Sequence, residues 1–439
     1  MREKFFIRLA FLALLSFGPV TLRAEDERVV LPGMVDAVWL FSQGEYKDAS
    51  RLFARLLQRQ PDNGALNYYM ALCDVALYKV NEGVSRMEKA VELDSCNTHY
   101  RRRLAQLYAA TKSYEKALVQ YERLEKEHPK DPYLADEIGE VYLRAGHYDK
   151  YYPIAKTYIT GEGLDEEDKL KYLSGFLKDF SREEVKAMRP WLDSLYINLD
   201  KVHPASSAPM DSWCQILAWL GDWEQLDSDA TEGLSRFPQD TVLCYYGTAA
   251  KYFRKDYKGS AALLEKLIVL QKDDRQKVLS HYSWLGEIYF KGEMWQKCFD
   301  TYEKALRLEP DNILILNNYA YFLSLRKRNL KKALQMSRKT VEAEPDNATY
   351  LDTCGWILYL LGRLEEAKAQ FNHAKLYGGN DNAVILDHYA TVLYDLGEYR
   401  LAHSYWTKAL SKNEHQEVEG LEEKIEKAAK AIAAGNAKQ

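Results

Sequence analysis

Three histidines near the C-terminus are spaced 15 residues apart, at His373, His388 and His403. Histidine is the commonest protein ligand for transition metals, so equal spacing invites a test for a metal site. The sequence contains no HExxH, no paired CxxC, no glycine-rich phosphate loop and no nucleophile elbow. We therefore predict no catalytic residue, no metal site and no cofactor, provided that the helices carrying these histidines hold them apart.

The six cysteines are not expected to form a disulfide framework. Cys73, Cys214, Cys298 and Cys354 fall within apolar-periodic segments, where a free thiol behaves as a small hydrophobic group. Cys214 and Cys244 are the one pair that merits a test for a bridge.

Charge excludes one class of partner. The formal net charge is −5, whereas phosphate backbones require a basic excess, so nucleic acid is not an expected partner. Acidic clusters such as Glu365–Glu366 and 165–168 sit at helix starts, where the helix dipole favours them.

Residues 1–24 differ from the rest of the chain. Arg2, Lys4 and Arg8 precede an apolar run, Leu9–Phe17, and Ala24 precedes a charged segment. This pattern predicts a secretory signal peptide. The alternative is a membrane anchor, but nine apolar residues are too few to span a bilayer. We expect an exported protein, soluble after cleavage or membrane-peripheral, in the periplasm or at the outer-membrane periphery.

One stretch, residues 345–380, shows most clearly the residue pattern that recurs along the chain. Two apolar-periodic segments, Tyr350–Leu361 and Leu364–Leu376, flank Gly362, which predicts a helix, a tight turn and a second helix. Small residues at Gly355 and at two alanines of the second segment let the helices approach closely, and Phe371 fills the space beside them. Such a hairpin has too little core to fold alone.

The same spacing recurs along the chain. We number positions in a 34-residue unit as slots, with Gly355 at slot 8, Ala367 at slot 20, Phe371 at slot 24 and Ala374 at slot 27. Four units follow at 34 residues each, and six more follow at strides of 34 to 38, with slot 8 at Ala37, Ala71, Ala105, Gly139, Cys214, Thr248, Gly286, Ala320, Gly355 and Ala390. The extra residues near 271–275 and 326–329 should lie in loops. The three histidines fall at slots 26, 6 and 21, so they need not converge.

This pattern resembles the tetratricopeptide repeat family over nearly all of residues 30–412. The resemblance implies an all-α, right-handed superhelical solenoid of about ten helix-turn-helix repeats with a C-terminal capping helix. It also implies binding of partners on a concave face made by the first helix of each repeat, chiefly at slots 2, 5, 9 and 12.

The repeat register divides the chain into five parts. We predict a signal peptide (1–24), a block of four repeats (30–163), an irregular helical joint (164–210), a block of six repeats (211–412), and a capping helix with its tail (413–439). Asp165 and Ser181 are expected to cap the helices of the joint, and Pro190 to kink the second. The capping helix is predicted at 417–434, with Val418 on its apolar face.

The concave slots of the C-terminal block give the candidate partner-binding residues: Tyr245, Tyr252, Glu287, Phe290, Asn317, Tyr321, Asp352, Trp356, Tyr359, Asp387 and Tyr394. Family members that clamp a carboxylate use Lys, Asn and Arg here, a set that this sequence lacks. We expect Trp356 and Tyr359 to be aromatic anchors and Asp352 and Asp387 to supply an acidic complement. The alternative is that the rings pack within the superhelix and the acids are solvated.

The leading hypothesis is a non-enzymatic, monomeric scaffold for an unidentified protein or peptide, acting in envelope assembly or secretion. The first alternative is an enzyme subunit or regulator with a site in 164–210. The second is self-assembly through the solenoid ends, which a polar capping helix disfavours.

Overall fold

The computed structural model describes residues 33–128, 132–162, 164–414 and 417–436. The predicted signal peptide lies outside these residues. Within them the protein is an all-α helical repeat solenoid, with twenty-four α-helices and no strand. None of the helices in this part of the chain has the length and apolar character needed to cross a membrane.

The chain divides into two compact units, Met1–Pro209 and Met210–Gln439. The helices up to the end of the first unit are α1 (Met34–Ser42), α2 (Tyr46–Arg59), α3 (Gly64–Ala76), α4 (Val80–Leu93), α5 (Thr98–Ala110), α6 (Tyr114–Glu127), α7 (Pro132–Ala145), α8 (Tyr148–Thr160), α9 (Glu166–Gly175), α10 (Arg182–Ala187) and α11 (Arg189–Val202). A short 3-10 turn, Phe176–Asp179, follows α9.

The remaining helices begin with α12, which opens the second unit. They are α12 (Ala208–Leu220), α13 (Trp223–Arg236), α14 (Thr241–Phe253), α15 (Tyr257–Leu270), α16 (Arg275–Lys291), α17 (Trp295–Leu308), α18 (Ile313–Leu325), α19 (Leu330–Ala343), α20 (Ala348–Leu360), α21 (Leu364–Leu376), α22 (Ala383–Asp395), α23 (Tyr399–Lys412) and α24 (Leu421–Asn436). In this unit the even-numbered helices from α12 to α22 are the first helices of the repeats, and the odd-numbered ones are the second helices.

Each of the first helices α18, α20 and α22 starts at a polar cap. Asn312, Asn347 and Asn382 accept backbone N–H groups of their own first turns at 2.9–3.3 Å, which satisfies donors that a helix leaves unpaired. The cap therefore starts the first helix at the same slot in successive repeats.

Each hairpin turn passes through the left-handed region at slot 15. Gly362 has a φ of 74°, as the turn prediction requires, and Lys255 and Glu293 occupy the same slot with φ of 65° and 57°. A side chain in this region is strained. The turn geometry is therefore maintained by helix packing even where no glycine relieves it.

The core lies where slot 8 of a first helix meets slot 24 of the second. Gly355 faces Phe371, and Gly286 faces Tyr302; both rings are fully buried. A Cβ atom added to Gly286 would come within 2.4 Å of the Tyr302 ring. Glycine is thus required here by close helix approach rather than by backbone angle.

The joint, 164–210, differs from the prediction at one point. Ser181 forms a capping box with Glu184, and Asp165 accepts the Asp168 N–H at 2.8 Å, so both predicted caps are confirmed. Pro190, however, does not kink one helix. Met188 separates two helices, α10 and α11. Pro190 lies in the first turn of α11, where its missing N–H has no helical partner to lose.

The capping helix also starts later than predicted, at Leu421 rather than 417. Asn413 forms hydrogen bonds with both the N–H and the carbonyl of Val418, at 3.1 and 2.7 Å. These bonds hold Val418 where it packs against the core of the second unit.

Replacing Gly286 by Ala tests the packing rule. The new methyl group meets a ring that is fully buried, so overpacking should lower the free energy of unfolding by about 1–3 kcal/mol. Urea denaturation followed by tryptophan fluorescence measures it. The matched control makes the same substitution in a Tyr302→Leu variant. There Gly286→Ala should lower the free energy of unfolding clearly less, because the ring that the new methyl group would meet is gone. Equal costs in both backgrounds would contradict this account.

Candidate functional site

The eleven candidate residues lie on five first helices of the second unit, α14, α16, α18, α20 and α22. Equivalent slots of stacked repeats share one side of the array. We call this set the first-helix surface. Its members differ in how far they are exposed and in what they contact.

Three rings of the surface close the hairpin turns. Tyr252, Phe290 and Tyr394, all at slot 12, contact the aromatic residue five positions later, with ring centroids 5.9, 4.9 and 5.0 Å apart, respectively. In the first unit, Phe41 and Tyr46 form the same contact at 5.4 Å. Pairs of this kind add stability beyond area burial. The i, i+5 spacing was visible in the sequence but did not enter the prediction.

Two tyrosine hydroxyls join neighbouring first helices. Tyr252 donates to Glu287 at 2.6 Å, and Tyr359 donates to Asp395 at 2.8 Å. Burial, together with the acceptor Asp395, raises the pKa of Tyr359 to about 12. The hydroxyl therefore remains a donor at neutral pH.

Asp352 is buried and paired. Its Oδ1 lies 2.8 Å from His388 Nδ1, and the indole of Trp356 stacks on the His388 imidazole at 4.1 Å. Trp356 also stacks on Tyr359 at 4.9 Å. The Asp352 carboxylate is thus part of an internal cluster, neither solvated nor presented freely as an acidic complement.

Asp387 is buried in the same way. Its carboxylate accepts hydrogen bonds from Trp406 Nε1 at 2.8 Å and from Lys424 Nζ at 2.7 Å. Lys424 belongs to α24, and Lys427 of the same helix lies over the Tyr394 ring at 4.4 Å. The capping helix therefore covers the first-helix surface at the last repeat.

The middle and start of the surface remain more open. Tyr245 is 46% exposed and contacts the Trp284 ring at 5.4 Å. Tyr321 is half-buried, and burial and the Asp352 charge raise its pKa. Asn317, one turn before Tyr321, is only 4% exposed.

The histidines of interest do not share a site. His388 pairs with Asp352, whereas His373 Nε2 lies 3.1 Å from Asp346. In the part of the chain that the structure describes, no three His, Cys, Asp or Glu side chains are grouped to hold a metal ion. Cys73, Cys214, Cys298 and Cys354 are buried free thiols, as predicted, and Cys244 is also a free thiol.

A family model described as tetratricopeptide repeat matches residues 301–335. This segment of the chain is therefore similar to a tetratricopeptide repeat. The match runs from the second half of α17 through α18, which carries Asn317 and Tyr321, into α19. Comparison with curated protein sequences gives no match.

Three solved structures illustrate what this chain is similar to. Yeast Tom70 is 12% identical, with a TM-score of 0.39 over 93% of this chain and 96% of its own. A tetratricopeptide repeat protein from Parabacteroides merdae is 11% identical, with a TM-score of 0.48; the alignment covers 60% of this chain and 98% of that one. The Cut9–Hcn1 hetero-tetramer of the APC/C is 12% identical, with a TM-score of 0.43; the alignment covers 90% of this chain and 89% of that one. These similarities identify no partner for this chain.

The first unit presents a more polar set of first-helix residues. Arg102 Nε and Gln106 Nε2 each donate to Glu137 at 2.9 Å, and the Tyr68 hydroxyl lies 2.7 Å from His99 Nε2. A small pocket of about 170 Å³ is lined by Thr98, His99, Arg102, Leu124, His128 and Leu134. Burial, followed by the nearby Arg103 and Arg102 charges, lowers the pKa of His99, so this ring is mainly neutral at pH 7.

Removing the Asp387 carboxylate should loosen the capping helix. Asp387→Ala leaves Trp406 Nε1 and Lys424 without their acceptor, which should cost about 1–3 kcal/mol and speed amide hydrogen exchange across Leu421–Asn436. Asp395→Ala, on the exposed end of the same helix, is the control and should leave exchange in α24 unchanged. Equal exchange rates for Asp387→Ala and the parent chain would show that Lys424 does not anchor the cap.

Proposed function

We propose that this protein is a non-enzymatic interaction scaffold whose first-helix surface binds an extended or helical segment of a partner protein. The observation that carries the proposal is that the aromatic rings of this surface have two different roles. Tyr252, Phe290 and Tyr394 close hairpin turns, whereas Tyr245, Tyr321 and Trp356, at slots 5 and 9, remain partly exposed on α14, α18 and α20.

Aromatic side chains in this state suit partner anchoring. They bring large contact areas at low entropic cost, and tyrosine and tryptophan dominate binding energy in protein interfaces. Trp356 is held by His388 on one side, so little freedom remains to be lost on binding. Stacked repeats commonly use such extended concave surfaces for partner binding.

Site-specific photocrosslinking tests the proposal. A benzophenone amino acid replaces Tyr245 or Tyr321, and the matched control replaces Leu376, which is 77% exposed at the end of a second helix. We expect the same partner to crosslink at both surface positions and not at residue 376, with the site identified by mass spectrometry.

Loss of the anchors should abolish this crosslink. Trp356→Ala combined with Tyr359→Ala removes the stacked pair, and circular dichroism first checks that the helices persist. A crosslink of undiminished yield in this variant, or one of equal yield at residue 376, contradicts binding at the first-helix surface.

We also propose that the protein is exported to the periplasm or the outer-membrane periphery and supports envelope assembly or secretion as a monomer. The basic, apolar and small-residue order of residues 1–24 supports this location. The polar outer side of α24, with Glu422, Glu423 and Glu426 exposed, disfavours end-to-end assembly.

Fractionation of cells producing the full chain tests export. We expect the protein in the extracytoplasmic fraction, shortened by loss of the N-terminal segment in intact-mass spectrometry. Leu12→Arg, which interrupts the apolar run, should keep the full-length form in the cytoplasm. An unprocessed parent chain in the cytoplasm would refute export.

A further inference from the structure

The hairpin turns of three successive repeats in the second unit are strongly basic. They join α14 to α15, α16 to α17 and α18 to α19, and slots 12–19 of these repeats are residues 252–259, 290–297 and 324–332. The three segments contain ten Lys or Arg residues and two Asp or Glu residues, although acids outnumber bases in the whole chain. In the repeats on either side, the same slots contain more acids than bases. The positive charge is therefore concentrated at one place in the array.

The three turns are in contact with one another. A Cβ atom built on Gly292, in the middle turn, would lie 2.8 Å from Tyr257 Cβ, beside the first turn. The Arg326 guanidinium of the third turn lies over the Trp295 ring, beside the middle turn, 4.3 Å from its centroid. The basic residues of the three turns thus share one continuous surface.

Most of these charges have no counter-charge within the protein. Arg254 pairs with Asp227, and Lys332 pairs with Glu303. In the part of the chain that the structure describes, no carboxylate lies within ion-pair distance of the other eight side chains, and all eight are exposed. We call these eight residues the basic edge: Lys255, Lys258, Lys291, Lys297, Arg326, Lys327, Arg328 and Lys331.

Two arginines of the basic edge are held in place by aromatic rings. Arg326 lies over Trp295, and the Arg328 guanidinium lies 5.8 Å from the centroid of Phe299. Such cation–π contacts orient a guanidinium and leave its N–H groups free to donate. Neither guanidinium donates to another of the described residues. A guanidinium in this state is suited to phosphate oxygens, which it can bind with two hydrogen bonds.

Exposed apolar side chains accompany the basic edge. Phe253 is 54% exposed and Leu325 is 39% exposed, and each is the last residue of its first helix, next to a basic turn residue. Cations mixed with apolar side chains are typical of surfaces that bind anionic membranes, where cations meet headgroup phosphates and apolar groups enter the acyl boundary. Single-stranded nucleic acid instead requires open aromatic faces, whereas Leu325 is aliphatic and Phe253 stacks on Trp223 at 4.0 Å.

We propose that the basic edge binds the surface of a membrane that contains anionic phospholipids. Arg326 and Arg328 contact headgroup phosphates, and Phe253 and Leu325 lie at the boundary with the acyl chains. The basic edge includes none of the eleven residues of the first-helix surface. The inference therefore goes beyond the proposed function, and the protein can bind a partner segment and a membrane through different residues.

Co-sedimentation of the full chain with lipid vesicles tests the proposal. We expect binding to vesicles of phosphatidylcholine with phosphatidylglycerol, weak binding to phosphatidylcholine alone, and a loss of affinity with added salt. Replacing Lys258, Lys327 and Lys331 together by Glu should weaken binding to the anionic vesicles by about tenfold or more. None of these three side chains contacts a ring or a carboxylate among the described residues, so circular dichroism should show an unchanged fold.

The matched control reverses three charges elsewhere in the second unit. Lys272, Lys304 and Arg307 are exposed and lie toward the other end of the second helices α15 and α17. Replacing these three together by Glu changes the net charge by the same amount and should leave the affinity for anionic vesicles close to that of the parent chain. Since all variants share residues 1–24, the difference between the two triple variants reports on the basic edge.

A fluorescent label tests the apolar contact. An environment-sensitive nitrobenzoxadiazole dye is attached through Leu325→Cys in a Cys96→Ser background, because Cys96 is an exposed free cysteine. We expect its emission to rise and shift to the blue when anionic vesicles are added. The same dye attached through Lys272→Cys should not respond.

Equal affinity of the two triple variants for anionic vesicles, or a dye response no greater at residue 325 than at residue 272, overturns the proposal. So does tighter binding of the parent chain to double-stranded DNA or to poly-glutamate than to anionic vesicles, if the Lys258, Lys327 and Lys331 variant loses it, since the edge then serves another polyanion. None of these outcomes affects the crosslinks expected at Tyr245 and Tyr321, so the two proposals fail independently.

Discussion

The close contact between a small residue at slot 8 and a large side chain at slot 24 is the constraint on which the rest of the structure depends. Gly286 faces Tyr302 and Gly355 faces Phe371, and both rings are fully buried. This contact sets how near the two helices of a hairpin lie. Because no hairpin has enough core of its own, a fixed spacing within hairpins is needed before neighbours can stack in register.

Stacking in register has a consequence for the polar residues of the first helices. In the last two repeats the first helices approach closely enough to bury Asp352 and Asp387 at slot 5, and a buried polar group needs a hydrogen-bond partner. Asp352 and Asp387 meet this requirement through His388 and Lys424. Their carboxylates therefore contribute mainly to the alignment of repeats, and recognition falls to the groups that this pairing leaves open.

The sequence predicted the fold better than the site, for a physical reason. Helix spacing, turn position and core slots follow from periodicity within one hairpin, which is local, and the extra residue predicted at 326–329 lies in a loop. The extra residues expected in a loop near 271–275 instead lengthen α16, which has 17 residues where α18 and α20 have 13. The burial of Asp352, the cover that Lys424 provides for Asp387, and the turn contact of Phe290 with Trp295 depend on which residue a neighbouring element brings. Pro190 illustrates the same limit, since proline can either kink a helix or begin one. The division of the chain at 163 and 210 remains a prediction.

The lysines of α24 bear on how such an array changes length during evolution. Lys424 meets the last repeat through an ion pair with a slot 5 carboxylate, and the preceding repeat carries a carboxylate at that same slot, Asp352. A duplication or deletion of one repeat ahead of α24 would present the helix with an equivalent acid. The terminal helix therefore acts as an interchangeable end piece, which allows the number of repeats, and with it the length of the binding surface, to vary without redesign of the terminus.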